Sequence, residues 1–506
     1  MDERRVVVIG TGPAGSCAAL FLANAGIDVT VLEAGLERAA RGVTVRIGGV
    51  TVARTKRELH PRPALTMTGG KGAVFEDLAP GGLSNHWSCA VPRYSPEDFA
   101  DAERSGLQYR WPVTYQELAP WYEAVEPHLS IAGGKVDWPQ LPAGVVRHER
   151  FLGHGWERMV DLARRVGRTL APMPYAYGGA NTVTFSGNAF NAYTRLLAPQ
   201  VRRGRVKLVC GARVTRLELA RGERRVTGAV YRDAVTGREE RVPCGAVVIA
   251  AGAMNTPLLL LQSTSTEFPD GLGNDHGVVG RYLHDHPAGK VVLDLDEPIG
   301  VHPASYLTRL ELARSEPLYA AACMQWSGVH YLASSVLRAH PMRLEHTGFS
   351  VFGTMPPAPE NHVAVDRTAA PALDGSLPLI VNIRYPDDAE KPLIHAREQL
   401  LEVLAAAGRP ARVRVWKFEH IGNSNHYAGT CRMHESPRYG VVDGWSRLHD
   451  VPNVVVADCS VFTTGPEKNP VLTAMALAAR ASDRLARDLR AGELARRGEA
   501  RKRSVA

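Results

Sequence analysis

Six residues near the N-terminus, Gly10-Thr11-Gly12-Pro13-Ala14-Gly15, are spaced as G-x-G-x-x-G, and an acid, Glu33, stands eighteen residues after the last glycine. That spacing suits the binding of a pyrophosphate. Gly10 permits a tight turn, Gly12 lets the backbone come close to phosphates, and Gly15 lets a helix and a strand pack closely. The helix that opens at Pro13 and Ala14 would present free N–H groups and a positive dipole end to the phosphates. Glu33, with Ala34 beside it, is placed to accept hydrogen bonds from a ribose. A second pattern, His284-Asp285-His286, is too tight for a usual helical metal site and indicates no third ligand, so no metal is expected.

The elements around the glycine loop give it context. Val6 to Ile9 is a short buried strand, Ser16 to Ala25 is a helix stopped by Gly26, and Asp28 to Glu33 alternates into a second strand. Together they form one β-α-β unit. Further on, Val206 to Cys210, Ala212 to Leu217, Val226 to Arg232 and Val242 to Ala250 are expected as strands, followed by a helix from Thr256 to Gln262. Lys290 to Pro386 is strand-rich, Pro392 to Ala407 has helical spacing, Val454 to Ala457 is a strand, and Asn469 is expected to open the last long helix. No long period repeats, which excludes a solenoid.

The 506 residues are 45% hydrophobic and 22% charged, values of a globular chain rather than a disordered one. Seven cysteines with no C-x-x-C pair do not form a disulfide framework, and a reducing, cytoplasmic setting is expected. The N-terminal arginine pair, Arg4-Arg5, follows two acids and precedes only four apolar residues, which argues against an export segment. No apolar stretch approaches the roughly 18–20 residues of a membrane span, so no membrane partner is expected. The net charge of +8 raises the question of nucleic acid. Half of it sits from Arg490 onward, where six basic residues face two acids, and the body carries no basic stripe with exposed aromatics. No nucleic-acid partner is expected.

Arg213-Val214-Thr215 lies on one expected strand, and Val247 to Ala250 ends in Ala251-Gly252-Ala253. This pairing resembles the second adenine-side contact of flavoproteins with two dinucleotide folds. There a glycine after a buried strand lets the backbone pass close to FAD, and Val214, Ala251 and Gly252 are the corresponding contacts here.

Four further segments resemble one family, the glucose–methanol–choline (GMC) oxidoreductases. They are Pro80-Gly81-Gly82-Leu83-Ser84-Asn85-His86-Trp87; Val279-Gly280-Arg281-Tyr282-Leu283-His284-Asp285-His286-Pro287; His426-Tyr427-Ala428-Gly429-Thr430-Cys431-Arg432-Met433; and Ala457-Asp458-Cys459-Ser460 with Asn469-Pro470-Val471. With the N-terminal loop they span nearly the whole chain in the family's order. Within the family, Ser84 to Trp87 resembles the S-T-H-W of pyranose 2-oxidases, in which that His carries covalent flavin. Asn85 departs from that pattern, so both a covalent link at His86 and simple packing over the flavin stay open. The compact length is similar to that of bacterial pyranose oxidases and C-glycoside 3-oxidases. His434 stands where the family usually has Gly.

The resemblance implies FAD as cofactor and the GMC fold: an α/β, Rossmann-like FAD-binding domain from 1–95, 200–290 and 425–490, and a substrate domain with a mostly antiparallel sheet from 96–199 and 291–424. A basic tail covers 491–506. It places His426 as the base that takes the hydroxyl proton and Asn469 as its partner on the same oxygen. Asp458 and Pro470 would face the flavin, and His284, His286 and Cys431 would be structural. The substrate pocket is expected from the strand-rich middle, with Gln325 as the favoured contact and Trp326, Asn382, Arg384 and Tyr385 as weaker ones. The implied reaction is oxidation of a C2 or C3 hydroxyl of a pyranose sugar or glycoside to a ketone, with dioxygen or a quinone receiving the electrons. A dehydrogenase of a gluconate, polyol or sterol is the alternative. A monomer is favoured.

Overall fold

The computed structural model describes residues 4–37, 41–47, 50–56, 65–135, 137–149, 157–176, 182–184, 190–300, 305–309, 322–326 and 343–492. For the strands within 41–56, 182–184 and 322–326 it describes the backbone alone. Most of the basic tail lies outside these residues.

Five strands form an all-parallel sheet in the order Val206–Cys210, Asp28–Glu33, Arg5–Ile9, Ala246–Ile249, Val454–Val456. Parts distant in the chain thus meet in one layer. Val6, Val7, Val8 and Ala246 to Ile249 are buried, as a sheet covered on both faces requires. The helix Pro13–Asn24 covers one face, and the C-terminal helix Val471–Arg490 packs on it, with the Cys17 thiol on the Met475 carbonyl at 3.5 Å.

A second, antiparallel sheet runs in the order Ala411–Phe418, Ala288–Gly300, Arg343–Gly353, Ala322–Trp326, Ser305–Arg309, Arg168–Pro172. The helix Lys391–Ala406 buries Leu393, Ala396, Leu400, Val403 and Leu404 in one cluster with Val291, Leu293, Phe349 and Val351 of that sheet. Each leucine so buried contributes about 1.5–3 kcal/mol. Among the described residues, no helix is long and apolar enough to cross a membrane.

Two elements differ from the sequence expectation. The stretch from Val242 to Ala250 is not one strand. Glu239–Pro243 joins a three-stranded antiparallel sheet, while Ala246–Ile249 enters the parallel one. Pro243 has no N–H for a ladder, and the chain changes sheets just after it. Asn469 does not open the last helix. Pro470 is its N-cap and Val471 its first residue, so Asn469 stands free of helical geometry just before it.

Candidate active site

A cavity of about 450 Å³ opens at the C-terminal ends of the central parallel strands and reaches Ser350 and Phe352 of the antiparallel sheet. In open parallel sheets this is where ligands bind. The three glycines of the N-terminal loop meet three different demands. Gly10 has φ +100°, and a Cβ there would lie 2.5 Å from the Ala250 carbonyl oxygen. A Cβ on Gly15 would lie 2.3 Å from the Gly10 carbonyl oxygen, so this glycine serves helix–strand contact and is not on the cavity wall. A Cβ on Gly12 would meet nothing within 4 Å and would project into the cavity instead. Gly252, at φ +86°, has the same open space before it. The helix after Gly12 has no side-chain N-cap, so its first N–H groups stay available beside Pro13 and Ala14.

Two acids of the cavity wall, Glu33 and Asp458, are each held by backbone N–H groups and a threonine hydroxyl. Glu33 accepts from the Thr11 N–H at 3.0 Å, the Thr11 hydroxyl at 2.5 Å and the Gly35 N–H at 2.8 Å. Burial nonetheless raises its carboxyl above the usual range, outweighing those bonds and the Arg213 charge. Asp458 accepts from the Gly252 N–H at 2.9 Å, the Thr256 hydroxyl at 2.6 Å and the Ser460 N–H at 2.8 Å. It too is raised by burial. Ala34, Val214, Ala251 and Pro470 complete this part of the wall.

The segment after Gly81 departs from expectation in part. Ser84 lines the cavity but gives its hydroxyl to the Gly81 carbonyl at 2.6 Å. Asn85 is not on the wall. Its amide spans Asp77 at 2.8 Å and Asn191 at 2.6 Å, which turns it into the packing behind the loop. Asp77 in turn holds His86 Nε2 at 2.9 Å, and the His86 ring lines the cavity edge-on to Phe75.

His426 and Asn469 come together on the opposite wall. Asn469 Nδ2 lies 3.1 Å from His426 Nε2, and Asn469 Oδ1 accepts from the buried Tyr306 hydroxyl. The backbone N–H of His426 donates to Asp285 Oδ1 at 2.9 Å, and the Ser424 hydroxyl donates to the same oxygen. The Phe352 ring stands 5.4 Å from the His426 ring. Burial pushes His426 down to about 4, so the imidazole is neutral at pH 7.

The sequence reading missed four residues here. Ser350, Phe352 and Tyr306 come from antiparallel strands with no motif to mark them. His286 stood in a quoted motif, yet it does more than fill space. Its Nδ1 lies 3.2 Å from His426 Nδ1. Of the pocket residues expected from the middle of the chain, Asn382 donates to the Glu360 carbonyl, exposed Arg384 pairs with Asp387, and Tyr385 donates to the His286 carbonyl. None of these three lines the cavity. Gln325 lies on its expected strand, in register with Tyr306 and Ser350, but its side chain and that of Trp326 lie outside the described residues. His434 braces its loop, accepting from the Ser436 N–H at 2.9 Å and lying 3.1 Å from the Leu107 carbonyl.

Comparison with known proteins agrees with this architecture. The model of the FAD dependent oxidoreductases matches residues 5–293, and that of the GMC oxidoreductases matches residues 360–478. The chain is 28% identical to 6'''-hydroxyparomomycin C oxidase of Streptomyces lividus, over 97% of this chain and 92% of that one. It is 25% identical to a C-glycoside 3-oxidase of Microbacterium trichothecenolyticum, over 96% and 97%. The solved FAD-dependent oxidoreductase from Chaetomium thermophilum has the same fold, with a TM-score of 0.66 at 15% identity over 96% of this chain and 99% of that one. The open cradle at Gly12 and Gly252, the uncapped helix and the backbone-held acids fit a flavin dinucleotide. The chain belongs to the GMC family of FAD-dependent oxidoreductases, with FAD as cofactor and CH–OH groups as the site of oxidation.

Proposed function

We propose that this enzyme oxidises a hydroxyl of a sugar or glycoside to a carbonyl, with a C2 or C3 ring hydroxyl as the favoured position. The observation that carries the reading is the His426–Asn469 pair, 3.1 Å apart on the wall of the cavity that also holds the glycine cradle. Oxidising an alcohol removes the O–H as a proton and the C–H with its electron pair. FAD, when bound, supplies the acceptor for that hydrogen and electron pair.

Neutral His426 takes the hydroxyl proton at Nε2. Asn469 Nδ2 donates to the same oxygen as negative charge grows on it, so the two side chains fix the C–H direction. The loop from Gly10 to Ala14, with Glu33, Ala34, Val214, Ala251, Gly252 and Asp458, holds the dinucleotide. Ser84, His86 and Pro470 border its other end. Phe352 keeps an apolar surface beside His426 and limits water there. Gln325 is the favoured polar contact to substrate.

The C-glycoside 3-oxidase relative supports the ring position. The relative named for a 6'''-hydroxy compound supports an exocyclic one. A panel of glucose, 6-deoxyglucose, 3-deoxyglucose and a C-glycoside decides between them, followed by peroxide release and by dye reduction. Ring oxidation keeps turnover with 6-deoxyglucose and loses it with 3-deoxyglucose for attack at C3. Loss with 6-deoxyglucose alone moves the reaction to the exocyclic hydroxyl. Inactivity on every sugar, with activity on a simple polyol, overturns the substrate class. Peroxide without dye assigns dioxygen as acceptor; dye reduction without peroxide assigns a quinone-like one.

A further inference from the structure

We propose that His286 is a positioning residue that sets the tautomer of His426, as one link in a one-way chain of hydrogen bonds that starts at the Tyr306 hydroxyl. The proposal rests on the reading of His426 as the base. A neutral imidazole carries its proton on one nitrogen or the other, and only the form with a bare Nε2 can take a proton from a hydroxyl in the cavity.

The chain has three links. The Tyr306 hydroxyl meets Asn469 Oδ1, and Asn469 Nδ2 lies 3.1 Å from His426 Nε2. His426 Nδ1 lies 3.2 Å from His286 Nδ1, with the two rings edge to face. The other nitrogen of His286 faces the turn at Gly465, where an added Cβ would lie 3.8 Å from Nε2.

The Asn469 amide sets the direction. Its Oδ1 can only accept, and takes the Tyr306 hydroxyl; its Nδ2 can only donate, and meets His426 Nε2. His426 Nε2 is therefore bare and its proton sits on Nδ1, where it donates to a bare His286 Nδ1. His286 then carries its own proton on Nε2, on the side of the turn at Gly465. The reverse chain would set the Asn469 Nδ2–H against a His426 Nε2–H. A doubly protonated His286 is excluded in turn, because burial and the neighbouring His426 and His284 all oppose charge on it. When His426 gains the hydroxyl proton, its Nδ1–H bond to His286 becomes charge-assisted and strengthens. The chain therefore favours the bare Nε2 before transfer and steadies the imidazolium after it.

The direct test is the tautomer itself. Holoenzyme labelled with 15N-histidine gives ring signals assigned by their loss in His426→Ala and His286→Asn. The expected result is a protonated Nδ1 and a bare Nε2 on His426; the opposite assignment overturns the proposal. Kinetics supply the second arm. His286→Asn places an amide oxygen close to where Nδ1 stands and is expected to keep kcat within about threefold, whereas His286→Leu loses about 100-fold in kcat with KM within about twofold. Flavin content and melting temperature are checked for both. A His286→Leu variant as fast as the parent, or an Asn variant as slow as Leu, overturns the proposal. If the Leu variant does not fold, the tautomer spectrum and the Asn variant decide. Full activity in His426→Ala would instead defeat the base assignment and leave the tautomer result standing.

Discussion

Two largely buried polar groups meet at the peptide between Lys468 and Asn469, and they treat charge in opposite ways. On one side are His426, His286 and His284 with Asn469 and Tyr306. On the other are Glu97, Asp98, Arg309, Glu467 and Lys468. In the second group Arg309 meets Glu97 at 2.7 Å, Asp98 at 3.0 Å and Glu467 at 3.3 Å, and Lys468 meets Asp98 at 2.5 Å. Burial alone would raise the Glu467 carboxyl, but Arg309 and Lys468 hold it well below the usual carboxylate range. The histidines receive too little counter-charge to offset burial; the Glu467 carboxylate favours charge on His286 but is outweighed. Burial pushes His426 and His284 down to about 4 and His286 well below its ordinary value. The same absence of water therefore keeps one group ionised and the other neutral, and the partners decide which. The ionised group ties the strand Ser305–Arg309 to the segment that carries Asn469. The neutral group can accept a proton.

The largest expected effect is on the ionised side. Lys468→Met leaves Asp98 and Glu467 short of a counter-charge and should cost about 3–5 kcal/mol of stability. Thermal and denaturant unfolding would show it; an unchanged melting temperature would mean the group is not ionised as described. Tyr306→Phe removes one buried hydrogen bond that orients the Asn469 amide, a loss of about 1 kcal/mol. Turnover should fall more than stability does, and a variant with parental kcat would break the link between Tyr306 and the site.

The pH dependence of stability separates the two groups. The histidines titrate near 6.5 when unfolded; in the folded state His284 and His426 sit at about 4 and His286 well below its ordinary value. Between those values the unfolded chain binds more protons, so stability present above 6.5 is lost as pH falls toward 4. Each histidine contributes about 1.4 kcal/mol per pH unit in that window. Asp285, raised by burial to about 6, acts with the opposite sign between about 4 and 6, because there the folded state binds the extra proton. Glu467, held low, loses its contribution only below its unfolded range near 4.5. Denaturant unfolding across pH should thus show a first decline below 6.5 and a second below 4.5. His284→Phe should make the first shallower, since His286 and His426 remain, and leave the second.

Much of the site was legible in the sequence because it is written in short spacings. The glycine loop with Glu33 needs only local geometry, and the segments around His426, Asn469 and Asp458 stand within recognisable motifs. What was not legible depends on residues distant in the chain. Tyr306 and Phe352 reach the site through antiparallel register, which leaves no spacing signal. His286 was visible as a residue but not as a partner, since 140 positions separate it from His426. Asn85 lay inside a cofactor motif, yet Asp77 and Asn191 draw its amide away from the cavity. The split at Pro243 was hidden because Val242 stands close before the apolar run Ala246–Ile249, although it ends the polar strand Glu239–Pro243.

The central claim is that a neutral His426 takes the hydroxyl proton. The most direct measurement is the rate of anaerobic flavin reduction by a sugar substrate from pH 8 to pH 4.5, in the parent and in His426→Ala with equal flavin content. The parent should hold its rate well below pH 6.5, because burial has moved the acid limb toward about 4. The variant should be slower by about 10²–10⁴-fold throughout. A variant that reduces its flavin at the parental rate, or a parent whose rate falls with a midpoint at 6.5, would contradict the account.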